Sequence, residues 1–151
     1  MKEEIVYLDS SAIIKRYIEE PGSLEIRSLY KKAYAGEIVV SYSLWNVGEV
    51  LVAFDRARRL ERITEDDYRT VKRRFLNEIK RMLKLGVMVL VPITLRVLRE
   101  SWKLLEKYHI YVADALQIAS ARNIDAELFL TGDKRLYEIA LRENIKSKYI
   151  G

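Results

Sequence analysis

Four short apolar runs, Ile5 to Leu8, Ile38 to Val40, Val87 to Val91 and Glu127 to Leu130, recur between longer stretches with helical spacing of their apolar residues. Strands separated by helices pair in parallel, since a crossover of a dozen or more residues is needed to bring the chain back to the same end of a sheet. The expected architecture is therefore an α/β sandwich. A further strand near Lys148 to Ile150 is weakly marked. Pro21-Gly22 breaks the chain after a first short helix, Gly36 precedes the second strand, and Gly86 stands where a long helix would need a C-cap. With no repeat, low-complexity tract or long linker, residues 1–151 are expected to form one domain.

Composition removes several function classes. No apolar run approaches the roughly 20 residues that span a bilayer, and the charged start Met1-Lys2-Glu3-Glu4 leads into a strand rather than a signal peptide. A soluble, cytoplasmic protein without a membrane partner is expected. The chain has no cysteine, which excludes disulfides, a thiol nucleophile and zinc-thiolate sites, and its one histidine, His109, cannot form a cluster. Any metal must be held by oxygen.

The segment Glu65 to Leu85 reads as the clearest helix: Thr64 caps it, Glu65, Asp66 and Asp67 suit its positive end, and Tyr68, Val71, Phe75, Ile79 and Met82 form an apolar stripe. On a wheel of 3.6 residues per turn, Arg69, Arg73, Arg74, Lys80, Arg81 and Lys84 fall opposite that stripe with no acid to neutralise them. The net charge of +5 is local too, since residues 55–84 carry eleven Lys or Arg against six Asp or Glu and the remainder sixteen of each. Such a face is either a solvated exterior or a nucleic-acid backbone surface, with Arg69, Arg73, Lys80 and Lys84 as the contacts. A membrane-surface helix fits less well, because the core needs the same stripe.

Against this background four carboxylates stand out. Asp9 closes the run Ile5-Val6-Tyr7-Leu8, and Asp133 follows Leu128-Phe129-Leu130 through Thr131 and Gly132, so both emerge at strand ends. Glu49 and Asp114 lie within apolar helical stretches. Each aspartate has a plainer reading alone: Asp9 as a helix N-cap, Asp133 as the cap of a helix from Lys134, and Asp114 as an acid favoured near a helix start. Glu49 has Trp45, Asn46, Val52 and Ala53 as its helical neighbours, so no adjacent Lys or Arg pairs with it. A buried lone carboxylate must neutralise or find a cation.

The four make most sense together. In open α/β sheets ligands collect outside the carboxyl ends of the strands, where Asp9 and Asp133 emerge, with Asp114 and Glu49 approaching from helices. An oxygen-rich site of this kind suits Mg²⁺ or Mn²⁺, and such an ion, only partly wrapped, assists in-line attack on phosphorus. The pattern points to phosphodiester hydrolysis.

The blocks Tyr7-Leu8-Asp9-Ser10-Ser11-Ala12-Ile13-Ile14-Lys15-Arg16-Tyr17 with Glu20-Pro21-Gly22-Ser23, Glu49 in its apolar helix, Ala113-Asp114-Ala115-Leu116-Gln117-Ile118-Ala119 and Thr131-Gly132-Asp133-Lys134-Arg135-Leu136 together resemble a PIN-domain nuclease. More closely, the chain is similar to VapC-type toxins of toxin-antitoxin pairs. The resemblance spans nearly the whole chain and implies a three-layer α/β/α sandwich with a central parallel sheet and an acidic pocket that cleaves single-stranded RNA with Mg²⁺ or Mn²⁺. It maps Asp9, Glu49, Asp114 and Asp133 onto the four acidic positions, Asp9 and Asp114 foremost as ligands. Ser11 and Thr131 fall on hydroxyl positions that orient a carboxylate or a phosphate oxygen, a turn or cap role being the plainer alternative.

Gly48, costly inside a helix, is expected to permit close packing near the site. The resemblance also implies a homodimer and a VapB-like antitoxin covering the pocket. Trp45, Trp102, Tyr108 and Tyr111 are available to such interfaces, although core positions are the default for aromatics at helical spacing. His109 is not expected to act as a general base. Two other readings keep the same fold: a PIN nuclease that processes RNA without a toxin role, and a PIN-fold RNA-binding module without cleavage. A phosphoaspartate receiver or a haloacid-dehalogenase fold needs acids that Asp9-Ser10-Ser11 does not supply, and no Gly-Lys-Ser or Gly-Lys-Thr loop is present for a P-loop enzyme.

Overall fold

Five parallel strands form the central sheet of the computed structural model, which describes residues 3–151. Met1 and Lys2 of the charged start lie outside the described residues. In chain order the elements are β1 (Glu4–Leu8), α1 (Ser10–Ile14), α2 (Ser23–Tyr34), β2 (Ile38–Ser43), α3 (Leu44–Arg59), α4 (Glu65–Leu85), β3 (Met88–Val91), α5 (Leu95–Tyr108), α6 (Val112–Asn123), β4 (Leu128–Thr131), α7 (Lys134–Arg142) and β5 (Ser147–Tyr149). The strands run in the order β3-β2-β1-β4-β5, and the helices make it a three-layer α/β/α sandwich. No described helix is long and apolar enough to cross a membrane.

Register places the site. Val6 to Leu8 lie beside Leu128 to Leu130, so β1 and β4 end level with one another. The chain leaves β1 towards β2 on one side, while β4 arrives on the other, which makes the β1/β4 seam the point where strand order reverses. Crevices at carboxyl ends open at such switch points.

Local chemistry explains the long elements. Thr64 and Asp67 form a reciprocal capping box at the start of α4, and Gly86 closes it with φ 73°, a left-handed angle that glycine adopts without strain. Tyr17, Phe54 and Phe75 meet edge to face at centroid distances of 5.4–6.1 Å and join the turn after α1 to α3 and α4. Tyr7 stacks on Phe129 across β1 and β4 at 5.5 Å. The weakly marked last strand exists as Ser147–Tyr149, held at the sheet edge by pairing with β4.

Candidate active site

Asp9 leaves β1 and caps α1, a five-residue helix. Its Oδ1 accepts the Ala12 amide at 3.0 Å and the Ser11 hydroxyl at 2.6 Å, and its Oδ2 accepts the Thr131 hydroxyl at 2.5 Å. The cap reading is therefore correct, and the cap leaves the carboxylate at the end of β1. Asp9 is only 5% exposed, and burial pushes its carboxyl up to about 6, against the hydrogen bonds from Ser11, Thr131 and Ala12 and with further help from Asp133. Thr131 also accepts the Asp133 amide at 2.9 Å, and Ser11 accepts the Gly132 amide at 2.8 Å, which ties the β4 end to α1. A side chain at residue 132 would crowd Lys15 and Ser11 at 3.2–3.3 Å.

Glu49 projects from α3, half-buried. Its Oε1 accepts the Ser10 hydroxyl at 2.7 Å, and the Asn46 amide donates to Ser10 at 2.8 Å. The Asn46 carbonyl in turn accepts the Ser43 amide at 2.8 Å as part of the α3 cap. Glu49 thus has neutral partners where the sequence shows no cation. Gly48 is not a close-packing residue: a Cβ there would meet nothing within 4 Å, because it faces the open cavity that Trp45, Glu49 and Val52 line.

Asp114 stands in the first turn of α6, half-buried, and its carboxylate accepts no hydrogen bond among the described residues. Burial raises its pKa, as does repulsion from Asp133 and Glu49, while Arg135 opposes the rise. Asp133 is exposed and caps α7 by accepting the Leu136 amide at 3.2 Å. The acids therefore feel one another across the β1/β4 seam. They do not form a ready-made cage: no three His, Asp or Glu side chains among the described residues converge tightly enough to enclose an ion. Two of the four, Asp9 and Asp133, are tied into caps.

The basic face needs correction. Arg69 lies 3.6 Å from Asp66 and 4.0 Å from Glu65, so acids do neutralise that end of α4. Arg73, Arg74 and Arg81 instead join Arg16, Tyr17, Asn77 and Glu78 around a cavity of about 300 Å³, which Lys80 and Lys84 do not line. Glu78 is buried, takes both ends of the Arg16 guanidinium at 3.0 and 2.9 Å, and accepts the Tyr17 and Tyr34 hydroxyls. Among the described residues Arg73, Arg74, Lys80, Arg81 and Lys84 make no ion pair. Three of the aromatics expected in the core are surface residues: Trp45 is 46% exposed, Trp102 47% and Tyr111 83%. Tyr108, half-buried, hydrogen-bonds Glu143. The roles of Ser10 and Arg135 escaped sequence reading, because each acts on an acid from another element, and that of Asn46 escaped it because its amide reaches Ser10 on α1.

The sequence profile of the PIN domain matches residues 6–141, and the chain belongs to that family of nucleases. Solved structures share the fold. FitAcB from Neisseria gonorrhoeae is 14% identical with TM-score 0.65, covering 94% of this chain and 95% of that one. VapBC2 from Rickettsia felis, solved bound to a DNA fragment from their promoter, is 13% identical with TM-score 0.62 over 97% of this chain and 99% of that one. VapC20 from Mycobacterium tuberculosis, a sarcin-ricin loop cleaving toxin, is 15% identical with TM-score 0.62 over 89% and 94%. No curated protein sequence matches the chain.

Proposed function

We propose that this chain is a metal-dependent endoribonuclease that hydrolyses single-stranded RNA in the cytoplasm as the toxin of a VapBC-type pair. The observation that carries the reading is the Thr131 hydroxyl joining Asp9 to the Asp133 backbone at the switch point of a PIN fold, where Asp133 and Glu49 help to raise the Asp114 carboxyl. Their donor set is all carboxylate oxygen, which fits Mg²⁺ or Mn²⁺, with Asp9 and Asp114 foremost as ligands and Glu49 and Asp133 completing the pocket. When bound, the dication offsets the repulsion among the acids, withdraws charge from a phosphate and makes a water more acidic.

This chain's own residues do the positioning. Ser11 and Thr131 hold both oxygens of Asp9, and Ser10, steadied by Asn46, holds Glu49. Water adds its oxygen to phosphorus in line with the departing O3′, which takes up a proton, leaving a 5′-phosphate and a 3′-hydroxyl. The unpaired guanidiniums of Arg73, Arg74 and Arg81 serve the RNA backbone, with Lys80 and Lys84 flanking them. Exposed Trp45, Val52 and Trp102 support protein partners, a second copy and a VapB-like antitoxin. The toxin role rests on the likeness to toxin folds, and co-purification with the product of an adjacent small gene would distinguish it from housekeeping RNA processing.

The test incubates wild type, Asp9→Asn and Asp114→Asn with mixed RNAs in Mg²⁺, in Mn²⁺ and in chelator. Cleavage by wild type with metal alone is expected; cleavage that survives chelation or both substitutions overturns the mechanism.

A further inference from the structure

Tyr111 is the most exposed large hydrophobic side chain named among the described residues, at 83%, yet it lies three positions before Asp114 and lines the same cavity. That cavity, about 420 Å³, is bounded by His109, Ile110, Tyr111, Asp114 and Arg135, and its size is within the range of ligand pockets. We propose that it is a nucleotide subsite for single-stranded RNA, in which Tyr111 stacks on a base and Arg135 holds a backbone phosphate. The proposal rests on the nuclease reading above and adds the residues that select an unpaired strand.

The local backbone makes the site rigid. Tyr111 is the N-cap residue of α6, with φ −64° and ψ 150°, and supplies no side-chain cap, so its ring has no role in starting the helix. His109 ends α5 in the left-handed region at φ 55°, which turns the chain sharply between the two helices. Arg135, from α7, ties this turn down: its Nη2 donates to the carbonyl of Tyr108 at 2.8 Å and to that of His109 at 3.5 Å. A guanidinium has five N–H donors in a fixed fork, so three remain on Nε and Nη1, and Arg135 makes no ion pair among the described residues.

Fixed cation, exposed aromatic and acid on one cavity match the needs of a strand entering the site. Every base has a π face, so stacking on Tyr111 would be tolerant of sequence. Bases inside a duplex have both faces covered, so the same contact discriminates against paired RNA. Arg135 would lie where a phosphate next to the scissile one meets the acidic pocket, offsetting the repulsion from Asp114. Because the Tyr111 ring is mostly in water, removing it should leave the fold intact.

The test measures binding of a short labelled single-stranded RNA by anisotropy in chelator, so that nothing turns over. Tyr111→Ala should raise Kd at least about fivefold, within the range of one lost stacking contact, while Tyr111→Phe stays within about twofold. Arg135→Gln should lower the salt slope by about one. Duplex RNA of the same sequence should compete poorly against wild type. The subsite is refuted if wild type does not bind, if Tyr111→Ala leaves Kd unchanged, if Tyr111→Phe is as weak as Tyr111→Ala at equal Tm, or if Tyr111→Ala alters oligomeric state alone. Binding that depends on Tyr111 without cleavage in Mg²⁺ or Mn²⁺ defeats the nuclease reading and leaves the subsite standing.

Discussion

Asp9 performs two tasks that pull its proton in opposite directions. Hydrogen bonds from Ser11, Thr131 and Ala12 favour the charged form, but burial outweighs them and lifts the carboxyl to about 6. Since the unfolded value is near 3.9, stability from this group is greatest below about pH 4 and is lost as pH rises through about 6. A rise of that size corresponds to about 3 kcal/mol at neutral pH without a cation. Asn keeps a cap acceptor, and a neighbouring hydroxyl can rotate to accept from its amide. Asp9→Asn should therefore raise Tm at pH 7 in chelator and lose that advantage at pH 4, as thermal denaturation would show. An advantage independent of pH would mean that Asp9 carries no such cost. At this scale the sequence was half legible: Asp9 and Asp133 could be read as caps or as site acids, and each is a cap at the end of its strand.

Within elements, α4 shows what a helix sequence reveals and what it hides. Thr64, the acidic first turn, the apolar stripe and Gly86 marked its span, and Glu65–Leu85 is the helix observed. Hidden was the partner of Glu78, because Arg16 reaches it from the turn after α1, 62 residues away. Burial alone would raise the Glu78 carboxyl, yet Arg16, Tyr17 and Tyr34 together hold it below the usual range. Glu78→Gln leaves the Arg16 guanidinium without its counter-charge, and unfolding in denaturant should show a loss of about 3 kcal/mol, as for broken buried pairs. Replacing both partners with apolar residues should recover most of it. A loss below about 0.5 kcal/mol would place the pair with weak surface bridges instead.

Over the whole molecule, charge is divided between an acidic seam at the strand ends and a basic groove where the turn after α1 meets α4. The groove holds Arg16, Arg73, Arg74 and Arg81, with only the Arg16 charge spent on Glu78. Association with single-stranded RNA should therefore weaken steeply with salt. Changing Arg73, Arg74 and Arg81 together to Gln should reduce the slope of log affinity against log salt by about three. An unchanged slope would show that RNA does not cross the groove.

The β/α alternation, the α4 boundaries and the four acids were written in the chain, because each is carried by local periodicity, cap chemistry or a charge in an apolar context. Only folding decided that β1 lies between β2 and β4 and so sets Asp9 beside Asp133. Folding also decided that Ser10 serves Glu49, that Asn46 reaches Ser10, that Arg135 faces Asp114, and that Glu78 belongs to Arg16. Those relations join residues distant in sequence, and no periodicity or local propensity encodes which surfaces will meet when the core closes.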